Sequence, residues 1–94
     1  MAFTSTFTVD AAGNPESYTV KTICKRITAY EDAQAGTTDF KVYVPPNSAT
    51  PVTKPAGSKY VLERQDRQGW FMPGDTPFAL ATVAGSVAFA VEEE

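Results

Sequence analysis

The chain has 94 residues and a formal net charge of −3, so it is the size of one small domain and lacks the clustered positive charge on which general nucleic-acid binding depends. It contains no histidine and a single cysteine, Cys24, which excludes a histidine general base, an intrachain disulfide and a multi-thiolate zinc site. Its start has no basic and apolar leader, and no apolar run is long enough to span a bilayer, so we expect cytoplasmic synthesis and no membrane partner.

The first predicted element is an N-terminal strand or extended arm. Phe3, Ser5, Phe7 and Val9 alternate with three threonines before the segment from position 10 to Pro15 breaks the pattern. Such an arm can add a strand to a neighbouring sheet, which makes Phe3 and Phe7 candidate interface residues. We assign residues 1–17 to this strand or arm and residues 18–94 to a single β domain.

The run from Tyr18 to Tyr30 is rich in β-forming residues, but its apolar positions change parity between Val20 and Ile23. Such a shift indicates a bulge, a bend or two buried faces. Within the run, Cys24 is expected to be a buried, unreactive thiol. The cations Lys21, Lys25 and Arg26 are interpreted as solvated charge on an outer sheet face, with a small basic patch as the alternative.

Further along the chain, turn signals separate short strands. Residues 31–35 are predicted to form a loop, and residues 38–44 a strand with Phe40, Val42 and Val44 on one face. Pro45 and Pro46 end that strand and begin a long proline-rich loop over 45–57. A strand over 58–64, with Tyr60 and Leu62 on one side, and a charged turn over 65–69 follow.

Trp70, Phe71 and Met72 lie between two turn signals, so their side chains are expected to alternate between faces. Trp70 either fills one end of the core or anchors an interface, with Phe71 beside it as a second interface candidate. A sugar-stacking platform with Tyr43, Tyr60 or Tyr30 is a further alternative. Residues 73–75, which read Pro-Gly-Asp, predict a type II turn.

The segment from Phe78 to Val91 alternates bulky and small residues on both sides of an Ala-Gly pair, which predicts a β-hairpin. A four-residue loop would place Thr82 opposite Val87 and Leu80 opposite Phe89, with the bulky face buried. The opposite face is lined by alanines and is predicted to lie against another chain or sheet; these residues are Ala79, Ala81, Ala88 and Ala90. The acidic end over 92–94 is typical of a solubilising tail, although it could meet a basic patch on a neighbouring copy.

Several short strands with Gly and Pro turns and no helical period predict an all-β fold, a small antiparallel β-sandwich or barrel with an extended N-terminal arm. The uncharged segment from Phe78 to Val91 should be central in its sheet or covered by another chain.

No residue group predicts catalysis. Glu31, Asp32 and Asp39 do not have the spacing of an EF-hand calcium loop, so a solvated loop is favoured. The carboxylates Glu63, Asp66 and Asp75 have no spacing specific to glycoside hydrolysis. Ser58 and Ser86 have no general base beside them. We therefore assign no catalytic residue, metal ligand or cofactor.

Residues 54–63, then 71–75 leading to 82–89 with an acidic end, resemble small β-rich virion proteins of tailed bacteriophages. The resemblance covers roughly the latter half of the chain together with its threonine-rich start. Proteins of that kind decorate or cement capsids or build head fibres, typically as oligomers at symmetry axes, and they have no catalytic residues.

The resemblance implies a non-enzymatic virion protein, a capsid decoration or cement protein made in the host cytoplasm. Its expected partners are other copies of itself, as a trimer or another homo-oligomer, and the major capsid protein or another virion protein. The alternative is a carbohydrate- or receptor-binding β-sandwich module with Trp70 and a tyrosine as the ligand platform.

Overall fold

The computed structural model describes residues 3–10, 14–32, 39–63, 70–83 and 85–94. It confirms the predicted all-β class, with two four-stranded antiparallel sheets and no helix among these residues. One sheet has the strand order β1-β8-β3-β6 and the other the order β2-β7-β4-β5. The strands are β1 Phe3–Val9, β2 Glu16–Ser17, β3 Arg26–Glu31, β4 Phe40–Tyr43, β5 Val52–Lys54, β6 Lys59–Glu63, β7 Ala79–Thr82 and β8 Val87–Glu93.

The core lies between the two sheets and is organised by aromatic rings. Phe40 of β4 and Phe89 of β8 meet edge to face with centroids 5.2 Å apart, which joins the central strands of opposite sheets. Tyr18 stacks on Phe78 at 5.5 Å, and Tyr60 of β6 contacts Phe78 at 5.9 Å. Edge-to-face and offset contacts suit the ring quadrupole, so these pairs stabilise the fold beyond the area they bury.

The predicted hairpin from Phe78 to Val91 is wrong, because its two halves lie in different sheets. Strand β7 pairs with β2 and β4, whereas β8 pairs with β1 and β3. Leu80 therefore lies opposite Val42, and Phe89 lies opposite Phe7. The alternating pattern correctly predicted that the bulky side chains are buried. It does not distinguish a hairpin from a crossover between two facing sheets, because both arrangements bury the same side chains.

The predicted N-terminal arm is not confirmed. All seven residues of β1 pair with β8, and Val9 is fully buried. Strand β2 pairs with β7 in the opposite sheet, so residues 1–17 supply one strand to each sheet. The segment forms part of the sandwich itself.

The predicted loop over 45–57 contains a short strand that the sequence did not reveal. Strand β5 pairs with β4 at the edge of its sheet, between Pro51 and Pro55. Proline cannot donate a hydrogen bond to a strand ladder, so the two prolines limit β5 to three residues. A strand of three residues is too short to show an alternating pattern in the sequence. The strand predicted over 58–64 is present as β6, with Tyr60 and Leu62 partly buried against the core.

The turn at 73–75 is confirmed as type II. Gly74 has a φ of 95°, and the Asp75 N–H donates to the Met72 carbonyl at 3.0 Å. Proline before a glycine with positive φ is the arrangement that this turn requires. The loop predicted over 31–35 is wrong at its first residue, because Glu31 is the buried last residue of β3. Residues 33–35 of that loop and the predicted turn over 65–69 lie outside the described residues.

Candidate interaction surface

An isolated β-bridge between Cys24 and Phe71 lies just before β3 and positions an exposed apolar surface. Cys24 N–H donates to the Phe71 carbonyl at 3.1 Å, and Phe71 N–H donates to the Cys24 carbonyl at 2.6 Å. Both side chains are buried. Because successive side chains of extended backbone point to opposite faces, their neighbours point outward.

Those neighbours form what we call the Trp70 patch, defined as Ile23, Lys25, Trp70 and Met72. The three apolar members keep large exposed fractions, 57% for Ile23, 49% for Met72 and 45% for Trp70. The Lys25 ammonium lies 4.6 Å from the centroid of the Trp70 ring, within range of a cation–π contact. Trp70 is therefore displayed at the surface, and the predicted alternative that it fills one end of the core is wrong.

The parity change between Val20 and Ile23 arises because Ile23 belongs to the exposed patch and not to the core. Val20 and Cys24 are buried while Ile23 faces solvent, and regular strand begins only at Arg26. Ile23 and Met72 were not chosen as site residues from the sequence. The signal available for Ile23 was its position beside Cys24, which was expected to be buried; Phe71 was itself predicted as an interface residue, so no such signal existed for Met72.

The basic residues next to the patch are paired individually. Lys21 lies 5.3 Å from the Tyr18 ring centroid. Arg26 Nε lies 2.9 Å from Glu63 Oε2, and its Nη1 lies 3.6 Å from Glu94 Oε1. Arg26 is thus balanced by two carboxylates of the chain, whereas Lys21 contacts an aromatic ring.

The acidic end is a strand end and not a tail, which corrects the sequence prediction. Glu92 accepts a hydrogen bond from the Tyr30 hydroxyl at 2.7 Å. Glu93 is almost completely buried, and Glu94 pairs with Arg26 through its backbone and side chain. Composition alone cannot show that each carboxylate meets a donor from a distant segment.

The Glu93 carboxylate holds the segment that leads into the Trp70 patch. It accepts hydrogen bonds from the Tyr18 hydroxyl, from the backbone N–H groups of Lys21 and Thr22 at 3.0 and 2.8 Å, and from the Thr22 hydroxyl at 2.7 Å. Burial alone would raise the pKa of Glu93, but these donors outweigh it and lower the pKa below its ordinary value. Glu93 is therefore charged and fully bonded at neutral pH.

The same surroundings make Cys24 inert. Burial, and then the charge of Glu93, raise the pKa of the Cys24 thiol to about 11. The predicted burial of this thiol is confirmed. The thiolate is the reactive form, and a raised pKa disfavours it.

A second buried carboxylate, Glu31, has a different environment. Neither of its oxygens accepts a hydrogen bond of ordinary geometry. Burial raises its pKa, the nearby Gly57 backbone only partly opposes this, and the charge of Asp39 raises it further. Asp32 is exposed, and Asp39 accepts a hydrogen bond from the Ala56 N–H at 3.0 Å. Across the described ranges no group of three acidic, histidine or cysteine side chains is placed to hold a metal ion.

The other sequence candidates lie apart from the patch. Phe3 is exposed at 40%, whereas Phe7 is half-buried with its ring edge-on to Tyr18 at 5.5 Å. The remaining candidates are buried in the single chain or, for Ala88, half-buried; they are Phe71, Ala79, Ala81, Ala88 and Ala90. The four alanines therefore lie on two different sheets and do not form the single alanine face that the hairpin predicted.

The tyrosines proposed as sugar platforms are held elsewhere. Tyr60 packs in the core, Tyr43 lies on β4 of the other sheet, and Tyr30 is bound by Glu92 near the far end of β3. Among the carboxylates considered for hydrolysis, Glu63 pairs with Arg26, Asp75 accepts from the Met72 N–H at 2.9 Å, and Asp66 lies outside the described residues.

The two serines considered for catalysis are bonded to neighbouring groups. Ser58 donates its hydroxyl proton to the Pro55 carbonyl at 2.7 Å. Ser86 donates its hydroxyl proton to Asp10 Oδ1 at 3.5 Å.

Comparisons with models of known protein families, with curated proteins and with solved structures found no match to this chain. In the part of the chain that the structure describes, no helix is long and apolar enough to cross a membrane.

Proposed function

We propose that the chain is a virion structural protein of a tailed bacteriophage, a capsid decoration or cement protein that docks on the shell through the Trp70 patch. The observation that carries this proposal is the exposure of Trp70, Ile23 and Met72 side by side on one surface. Tryptophan and methionine are enriched at protein interfaces, and an exposed apolar cluster that contains both has the composition of an interface centre.

The proposed mechanism is mechanical and needs no catalytic group. Burying the Trp70 patch on the major capsid protein, at a boundary between its subunits, would couple those subunits and oppose outward pressure. The two-sheet core supports this role because the Cys24 to Phe71 bridge and the Glu93 network fix the backbone beneath the patch. A preorganised surface loses less conformational entropy on binding.

The test is co-sedimentation of the purified protein with empty heads of the phage whose genome encodes it. Trp70→Ala should weaken binding by at least about tenfold, the loss typical of a hot-spot residue, while leaving the circular dichroism spectrum unchanged. Absence of binding by the native protein contradicts the proposal.

A matched pair of variants separates the patch from general surface effects. Ile23 and Val52 are exposed to 57% and 58%, but Val52 lies on the edge strand of the other sheet. Ile23→Ala should weaken binding to heads and Val52→Ala should not. Equal effects of the two variants would show that the patch is not the docking surface.

The exposed ring of Trp70 also fits the alternative function, a carbohydrate-binding module. The alternative is supported, and the virion proposal overturned, if the protein does not bind phage heads but binds glycans and loses glycan binding in Trp70→Ala.

A further inference from the structure

Among the four edge strands that the described residues form, β1 lacks the features that protect an edge. Edge strands expose unpaired backbone groups, and proteins usually protect them with charge, proline or shortness. Strand β2 has two residues, β5 lies between two prolines, and β6 carries Lys59 and Glu63. Strand β1 has seven residues with no charge and no proline.

The hydrogen-bonding pattern shows which groups of β1 face the open edge. Arg26 and Glu94 exchange both backbone hydrogen bonds, so even-numbered residues of β8 bond to β3. Antiparallel ladders alternate, so the odd-numbered residues of β8 bond to β1. These pair with odd-numbered residues of β1, for example Phe7 with Phe89. The N–H and C=O groups of Thr4, Thr6 and Thr8 therefore point outward.

We propose that this edge pairs with β1 of a second copy of the chain, antiparallel and about a two-fold axis at Thr6. Each chain then contributes its first sheet to one continuous sheet. The proposal does not depend on a virion location, since it concerns the purified chain alone.

The sequence of β1 is self-complementary in this register. Thr6 pairs with Thr6 of the second copy and Thr4 with Thr8, so every outward backbone group finds a partner. Threonine side chains of the two copies also lie opposite each other on the outer face, and such cross-strand threonine pairs stabilise a sheet. On the inner face, the exposed Phe3 lies beside Val9 of the second copy.

Because β1 carries no charge, electrostatic repulsion does not prevent a second copy from approaching this edge. Two chains of net charge −3 repel each other, and that repulsion is least where the facing strands are neutral. A two-fold pair of identical strands needs no complementary partner sequence.

The self-pairing of Thr6 provides the test. In the Thr6→Lys variant two ammonium groups would face each other across the axis, and in Thr6→Glu two carboxylates would. Each variant alone should raise the dimer dissociation constant, measured by analytical ultracentrifugation, by about tenfold or more. An equimolar mixture of the two should restore the dimer, because opposite charges then meet at the axis.

Thr53 is the matched control, an exposed threonine on β5 at the edge of the other sheet. Thr53→Lys and Thr53→Glu should leave the dissociation constant unchanged. A native protein that stays monomeric at high micromolar concentration overturns the proposal. So does a dimer that is insensitive to both Thr6 variants, or a mixture that fails to restore it.

Amide hydrogen exchange of the unmodified protein tests the same register without any substitution. The amides of Thr4, Thr6 and Thr8 should exchange more slowly as protein concentration rises, while those of Ser5 and Phe7 should be protected at every concentration. Threonine exchange that does not depend on concentration contradicts the proposal.

Discussion

At the scale of single residues, two buried glutamates show how hydrogen bonding decides the effect of a buried charge. Glu93 has four donors and a lowered pKa, whereas Glu31 has no ordinary hydrogen bond and a raised pKa. Both side chains lie at the ends of strands with charged neighbours, so composition does not distinguish them. Their effects on stability should have opposite signs.

We expect Glu93→Gln to lower the free energy of unfolding at pH 7 by about 3 kcal/mol, because an amide cannot accept from all the donors that the carboxylate satisfies. The folded pKa of Glu93 lies below the ordinary 4.5. Its contribution is thus complete above pH 4.5 and is lost as the pH falls through the folded value. Urea unfolding across pH 3 to 7 measures both effects. A variant as stable as the native protein at pH 7 would show that the network does not stabilise the fold.

We expect Glu31→Gln to raise the free energy of unfolding at pH 7, by roughly 1 kcal/mol, since it removes a buried charge without a full hydrogen-bond partner. The folded pKa of Glu31 lies above the ordinary 4.5. Its destabilising effect on the fold is therefore absent below pH 4.5 and is complete once the pH has risen through the folded pKa. The same urea series tests it. The exposed, ion-paired Glu63→Gln serves as the control for both variants and should change stability by less than about 1 kcal/mol. Destabilisation by Glu31→Gln at pH 7 would contradict this reading.

At the scale of elements, β1 belongs to the core sandwich. Deleting residues 1–9 removes a strand paired along its full length and the fully buried Val9. We expect the free energy of unfolding to fall by more than about 4 kcal/mol, which thermal melts followed by circular dichroism would measure. A truncated protein that melts like the native one would restore the interpretation of this segment as a dispensable arm. Point changes at Thr6 therefore test assembly better than the deletion does.

Side-chain alternation predicted most strands and their inward faces but not which strands pair. Phe40 with Val42, and Leu80 with Phe89, are buried as their period indicated. The pairing of β7 and β8 with other strands depends on contacts between segments far apart in sequence, which a local period does not contain. Trp70 was identified from the sequence because it lies between turn signals. Its apolar neighbours in the patch depend on the long-range bridge between Cys24 and Phe71.

At the scale of the whole molecule, the end of β8 closes the sandwich. Its backbone pairs with the start of β3, and the Glu93 side chain holds the segment from Tyr18 to Thr22. This segment connects β2 of one sheet to β3 of the other. Residues 92–94 therefore join both sheets, whereas a solubilising tail would be dispensable.

Ending the chain at Val91 should consequently cost about 5 kcal/mol or more of unfolding free energy, because it removes a buried carboxylate together with strand pairing to β3. That loss is comparable to the whole stability of a small domain, so the truncated protein should lack a cooperative thermal transition. Glu94→Ala is the control, since its exposed side chain makes only a 3.6 Å ion pair and its backbone pairing is kept. A cooperative, native-like melt of the truncated chain would mean that the acidic end is a tail after all.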